Sequence, residues 1–123
     1  MTLIEAINRI DALKPNGYSQ EQKVSWLSKL DTMLFNEVIN THLPLPEEEF
    51  QGYDTDTDLE TELIVGQPYD DIYVSWLEAQ IDYANAEYIK YNNSITRYND
   101  LFQAWANYYN RTHMPVKTRV RYF

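Results

Sequence analysis

The stretch VSWLEAQIDYANAEYIKYNNSITRYNDLFQAWANYY, residues 74–109, decides the fold. Its apolar and aromatic residues fall at Val74, Leu77, Ile81, Ala84, Tyr88, Tyr91, Ile95, Tyr98, Phe102, Trp105 and Tyr109, in steps that alternate between three and four. That rhythm lays one stripe along a helix and predicts a single long helix, over about 69–111, lying against other helices. At about 1.5 Å per residue the stripe is about 54 Å long. A small domain needs less, so the rod suits packing beside copies of itself or another protein better than it suits a pocketed catalyst. Asn92, Asn93 and Ser94 are poor helix formers, but the register sets them off the stripe, and the helix is expected to be continuous or mildly bent.

Upstream, Thr2-Leu-Ile-Glu5 spells a capping box, which starts a helix at Leu3 with Leu3, Ile7, Ile10 and Leu13 as its buried face. Lys14-Pro-Asn-Gly17 ends it. A second box, Ser19-Gln-Glu-Gln22, starts a helix over about 20–41 that points Val24, Leu27, Leu30, Leu34 and Val38 inward and stops at Pro44 and Pro46. The expected fold is all-α: two shorter helices, about 3–13 and 20–41, packed on one long helix. It forms a single domain over 1–123 with an acidic loop at 42–68 and a basic extended tail at 112–123.

The loop is far longer than an ordinary helix connection of about 2–8 residues. Leu59, Leu63, Ile64 and Val65 are too apolar for a free linker, so residues 59–66 are expected to dock as an extended stretch or short turn. Pro68 and the acidic pair Asp70 and Asp71 suit the opening of the long helix. After Arg111 the helix is expected to fray, and Val116, Thr118, Val120 and Tyr122 alternate with Lys117, Arg119 and Arg121 at the period of a strand. Such a strand has two readings, a disordered basic tail or an arm that pairs with an extended segment such as 59–66 of the same or a neighbouring chain.

Charge sharpens the second reading. Of the 123 residues, 1–110 carry six basic against nineteen acidic groups, −13, while 111–123 carry four basic and no acidic ones, +4. Asp54, Asp56 and Asp58 stand with seven more carboxylates in residues 47–71, where there is no Lys or Arg. An acidic loop and a basic tail make a head-to-tail pair between copies, held opposite one another by the rod; the alternative is that both are solvated. The body repels the phosphate backbone, so DNA is expected to slide past acidic faces without specific binding; the alternative is a DNA-binding protein that touches DNA locally through the basic tail.

No apolar run reaches the length of a membrane span, and no leader pattern opens the chain, so it is expected to stay where it is made and to have no membrane partner. Cysteine is absent, which excludes disulfides and thiol catalysis. Asp54-Thr-Asp-Thr-Asp58 opens like a calcium loop but places Leu59 where glycine is required and Val65 where a bidentate glutamate is required. His42 and His113 have no ligand partners at helical spacing and read as surface residues. The carboxylates lack a pocket to separate their pKa values, and there is no nucleophile elbow or phosphate loop. No catalytic, metal or cofactor residues are expected, and the tyrosines and tryptophans read as core or subunit interface rather than a ligand platform. The candidate interface residues are Tyr88, Tyr91, Tyr98, Trp105, Tyr109, Asp54, Asp56, Asp58, Lys117, Arg119 and Arg121.

Pro68-Tyr-Asp-Asp-Ile-Tyr-Val-Ser-Trp-Leu-Glu-Ala-Gln-Ile-Asp-Tyr83, Tyr91-Asn-Asn93 and Tyr108-Tyr-Asn-Arg-Thr-His-Met-Pro115 resemble segments of small proteins encoded by tailed phages and prophages of Gram-positive bacteria. Ile10-Asp-Ala-Leu-Lys-Pro-Asn16 and Trp26-Leu-Ser-Lys-Leu-Asp31 share the likeness, which spans most of residues 4–115. These motifs are specific for the family, not for a biochemical activity. The resemblance implies a place among head and head-tail joining proteins: a non-enzymatic adaptor or head-completion subunit, assembling as a ring homo-oligomer against portal or tail-side proteins. Its location would be the virion, and the host cytoplasm during assembly. The alternative is a small acidic assembly chaperone or regulatory binding protein absent from the particle.

Overall fold

The computed structural model describes residues 1–116. Among them the protein is mostly helical, with α1 (Leu3–Leu13), α2 (Gln20–Glu37), α3 (Asp71–Ala84) and α4 (Tyr88–Thr112), and one two-stranded pair, β1 (His42–Leu43) with β2 (Met114–Pro115). The all-α reading holds at this level.

Local signals set the first two helices. The Thr2 hydroxyl accepts from the Glu5 amide at 3.2 Å and the Glu5 carboxylate accepts from the Thr2 amide at 2.9 Å, closing the capping box that starts α1. Only half of the second box forms: Ser19 Oγ accepts from the Gln22 amide at 3.1 Å. The apolar faces of both helices are buried at Leu3, Ile7 and Ile10 and at Val24, Leu27, Leu30 and Leu34, while Leu13, expected inside, is 55% exposed. α2 ends at Glu37 rather than Thr41. There the Thr41 hydroxyl and the His42 ring both take the Val38 carbonyl, replacing the next helical amide.

The long helix is two helices. α3 stops at Ala84 and α4 begins at Tyr88, folded back antiparallel: Ser94 meets Asp82, Tyr98 meets Trp76 and Tyr108 meets Tyr69. The stop is a Schellman motif, in which the Glu87 amide donates to the Asp82 carbonyl and the Ala86 amide to the Tyr83 carbonyl. Ala86 takes the left-handed position at φ 59°. Two stripes in the same phase therefore face each other across a hairpin. At the turn the seam leaves the core, with Ala84 and Tyr88 exposed and Tyr91 half-buried. Ser94 is also corrected: it is 6% exposed, and its hydroxyl donates to Asp82 at 2.9 Å. Asn92 and Asn93 stay outside.

α3 is the centre of the bundle. α1 runs parallel to it, with Arg9 beside Asp71 and Lys14 paired to Asp82. α2 runs antiparallel, with the Trp76 indole donating to the Trp26 carbonyl at 2.8 Å and the Tyr73 phenol donating to Asp31 at 2.7 Å. Leu77 and Ile81, on the seam, and Ile72 and Tyr73 beside it have no exposed surface. Apolar burial of this kind stabilises by about 1.5–3 kcal/mol per large side chain.

The acidic loop is packed against the body. Residues 59–63 run beside the amino terminus: the amides of Leu3 and Ile4 donate to the carbonyls of Thr61 and Leu59, and the Leu63 amide donates to the Met1 carbonyl. Leu63 and Val65 are buried, as expected for a docked extended stretch. This edge is therefore taken by the protein's own first residues, and the chain after α4 pairs elsewhere: Met114 opposes Leu43, Pro115 opposes His42, and the Val116 amide donates to the Thr41 carbonyl. The expected strand beyond Val116 lies outside the described residues. The start of the tail and the start of the acidic loop thus share one clasp, and no 54 Å rod separates them.

Left-handed geometry costs an alanine about 1–2 kcal/mol, part of which glycine returns through greater unfolded-chain freedom. Ala86→Gly should raise stability by about 0.5–1 kcal/mol, measured by urea unfolding; an unchanged or lower midpoint would show that Ala86 is not in this conformation.

Candidate interaction surfaces

The strongest buried polar site lies between α2, α3 and the loop. Asp31 has no exposed surface and, among the described residues, no cation beside it; its carboxylate accepts from Tyr53 Oη at 2.5 Å, Tyr73 Oη at 2.7 Å and the Ile64 amide at 3.1 Å. The Tyr73 oxygen in turn accepts from the Val65 amide at 2.7 Å. Burial raises the Asp31 carboxyl above its ordinary value, partly opposed by the two phenols and the Ile64 amide. Burial and then the neighbouring carboxylate push both tyrosines above the ordinary phenol range, so they remain donors. Two phenols on one carboxylate is an arrangement suited to proton transfer. Here Asp31 and Tyr73 are sealed from solvent, and the cluster acts as a structural tie between loop and bundle.

The structure sorts the predicted interface residues into separate groups. Tyr98 and Trp105 are 5% and 4% exposed and serve this chain's own core. Tyr98 packs on Trp76 at 5.0 Å between ring centroids, and Trp105 on Tyr109 at 5.4 Å. Tyr109 also stacks flat on His113 at 3.8 Å and meets His42 edge-on at 5.1 Å. His42 is buried, contrary to expectation: its Nδ1 lies 2.7 Å from the Val38 carbonyl oxygen and its Nε2 2.6 Å from Asn110 Oδ1. His113 is half-buried. These contacts hold the β1–β2 clasp between the ends of α2 and α4.

Tyr88 and Tyr91 come together at the hairpin tip around Tyr83, at 5.8 and 5.2 Å from it. Tyr83, Tyr88 and Ile89 are 59%, 57% and 82% exposed, an apolar tip that the reading of the seam as a buried rod obscured. At the other end of α4, about 37 Å away by helical rise, Leu43, Leu45, Met114 and Val116 are also exposed. Asp54, Asp56 and Asp58 are exposed, and two of them serve local turns: Asp54 accepts from the Asp56 amide and the Thr57 hydroxyl, and Asp58 from the Glu60 amide. Lys117, Arg119 and Arg121 lie outside the described residues. No three His, Asp or Glu side chains among the described residues are placed to hold a metal ion.

Two clefts flank α4 where it lies on α3. Toward α2, Met33, Trp76, Ile95, Tyr98 and Phe102 line an apolar slot of 350 Å³. Toward α1, two shallow hollows of 430 and 420 Å³ share Arg97; Ala12, Leu13 and Val74 line the first, and Lys14, Lys90 and Asn93 the second. Arg9 also borders the first. Four of the six lysines and arginines in residues 1–110 (Arg9, Lys14, Lys90 and Arg97) are gathered here. Asp71, Glu78 and Asp82 line the same hollows, so the groove carries both signs; it draws on three helices, which is why no local run of sequence announces it.

The Asp31 site yields a signed pH effect. Its folded-state pKa is raised, so the native chain holds this proton more readily than the unfolded chain, whose carboxyl titrates near about 3.9. The stabilising contribution is fully present below that value and is lost as pH rises through the folded-state value. Chemical unfolding across pH should therefore show wild-type stability falling relative to Asp31→Asn over this window; parallel curves would refute the assignment. Tyr73→Phe should cost about 1.5–3 kcal/mol at neutral pH, since it removes a donor to a buried carboxylate.

No family model matches the chain, and no curated protein or solved structure matches it either.

Proposed function

We propose that this chain is a non-enzymatic structural subunit of a tailed phage or prophage, of head-tail adaptor or head-completion type. It works by docking to copies of itself as a ring and to portal or tail-side proteins. The observation that carries the reading is the pair of exposed apolar ends on a small, strongly acidic body: the Tyr83–Tyr88–Ile89 tip and the Leu43–Leu45–Met114 clasp. Surfaces of this kind mark sites of protein association, and their placement at opposite ends of α4 suits a subunit with neighbours on two sides. The sequence resemblance supplies the particle, and the acidic faces suit passage of DNA without adhesion.

The tail beyond Val116 and the acidic loop are the contact arms in this reading. Deleting residues 116–123 should leave the monomer folded, with unchanged far-ultraviolet circular dichroism, and block completion of infectious particles. Normal particle yield from the truncated gene would reject the arm. Mass spectrometry of purified particles should find the chain at constant ratio to the portal protein. Its absence from complete particles would instead favour an assembly chaperone.

A further inference from the structure

We infer that the groove between α1 and α4 receives the strip Leu43-Pro-Leu-Pro-Glu-Glu-Glu49 of a second copy of this chain. This rests on the assembly reading above and gives that assembly a defined contact.

The two surfaces complement each other in chemistry. The groove has an apolar floor of Ala12, Leu13 and Val74, and Leu13 is 55% exposed although it continues the buried stripe of α1. Arg9 and Arg97 border that floor. Arg9 faces Asp71 only loosely, at 3.7 Å with both side chains more than half exposed, and Arg97 has no carboxylate within 4 Å among the described residues. Lys14 and Lys90 continue the groove, paired to Asp82 and Glu87, and Glu78 lines it with them, which leaves Arg97 and the loosely held Arg9 as its available cations. The strip offers the counterpart, with Leu43 and Leu45 exposed at 42% and 50%, followed by exposed Glu47, Glu48 and Glu49, none ion-paired among the described residues. In this contact Leu45 lies on the floor, and the glutamates that follow it, where the chain bends at Glu47 and Glu48, meet Arg9 and Arg97. Pro44 and Pro46 already restrict the strip, which lowers the entropy lost on docking.

The occupant is a second copy because the strip is tethered away from its own groove. At one end His42 is held between Val38 of α2 and Asn110 of α4; at the other Phe50 packs on Phe35 of α2 at 5.8 Å. Both anchors lie on the α2 side of α4, and the groove lies on the α1 side. Groove and strip are different surfaces of one chain, so the contact is head-to-tail and closes into a ring or extends as a filament.

The test is sedimentation of the full chain and two surface variants, each checked for wild-type circular dichroism. Wild type should self-associate with concentration, more weakly as salt screens the charges. Arg9→Glu with Arg97→Glu, and Glu47→Lys with Glu48→Lys and Glu49→Lys, should each weaken association by at least about tenfold. An equimolar mixture of the two should recover it, because each variant retains the surface that the other has lost. A wild type that stays monomeric to about 1 mM, the weak end of specific association, overturns the inference. So do variants that associate like wild type, or a mixture that does not recover. A monomeric wild type whose groove variants still block particle completion would assign the groove to another acidic partner. Failure of the assembly reading itself is scored separately, by absence of the chain from purified particles.

Discussion

Asp31 imposes a condition that much of the remaining structure meets. A carboxylate taken out of water without a cation is costly unless its oxygens are fully hydrogen-bonded, and its donors come from α3, from Tyr53 and from the Ile64 amide. Meeting that requirement brings the loop onto α2 at Tyr53 and again at Ile64. The second contact buries Val65 against the bundle and lays residues 59–63 along the amino terminus, where they accept from the first amides of α1. Gly52 allows the first approach: it sits at φ 78°, and a Cβ there would lie 2.8 Å from Ser28 Oγ. An acidic segment that composition alone would leave in solvent is thus fastened at two points. Asp82 meets the same requirement differently, with Lys14 and Ser94 as partners, and fixes α1 and α4 on α3.

What the sequence made legible follows the range of each interaction. The α1 capping box involves residues three apart and forms in full. The inward faces of α1 and α2 follow from helical period, and the docking of Leu63 and Val65 from their apolar character. The Asp31 site joins residues 22, 33 and 42 positions apart, and no local pattern carries it. The hairpin was hidden for another reason. Period reports the phase of a stripe and not the direction of the chain, so two helices packed face to face can carry one uninterrupted rhythm. The usual punctuation was missing too, because the left-handed cap is filled by Ala86 where glycine is the common choice. Of the seam's aromatics, Tyr98 and Trp105 meet their partners inside the chain, while Tyr88 stands exposed beside Tyr83 at the hairpin tip.

Breaking the rod changes the electrostatic design more than the fold class. A 54 Å spacer would have kept the acidic loop and basic tail apart, so that each could meet only a neighbour's opposite charge. In the clasp, Leu43 pairs with Met114, and the two segments begin side by side. The cations of the α1–α4 groove are placed otherwise. They stand on the side of α4 away from the strip's own anchors, where the strip of the same chain does not reach them. The basic tail displays its charge as a run of sequence, whereas the cations of this groove come together only once three helices have packed.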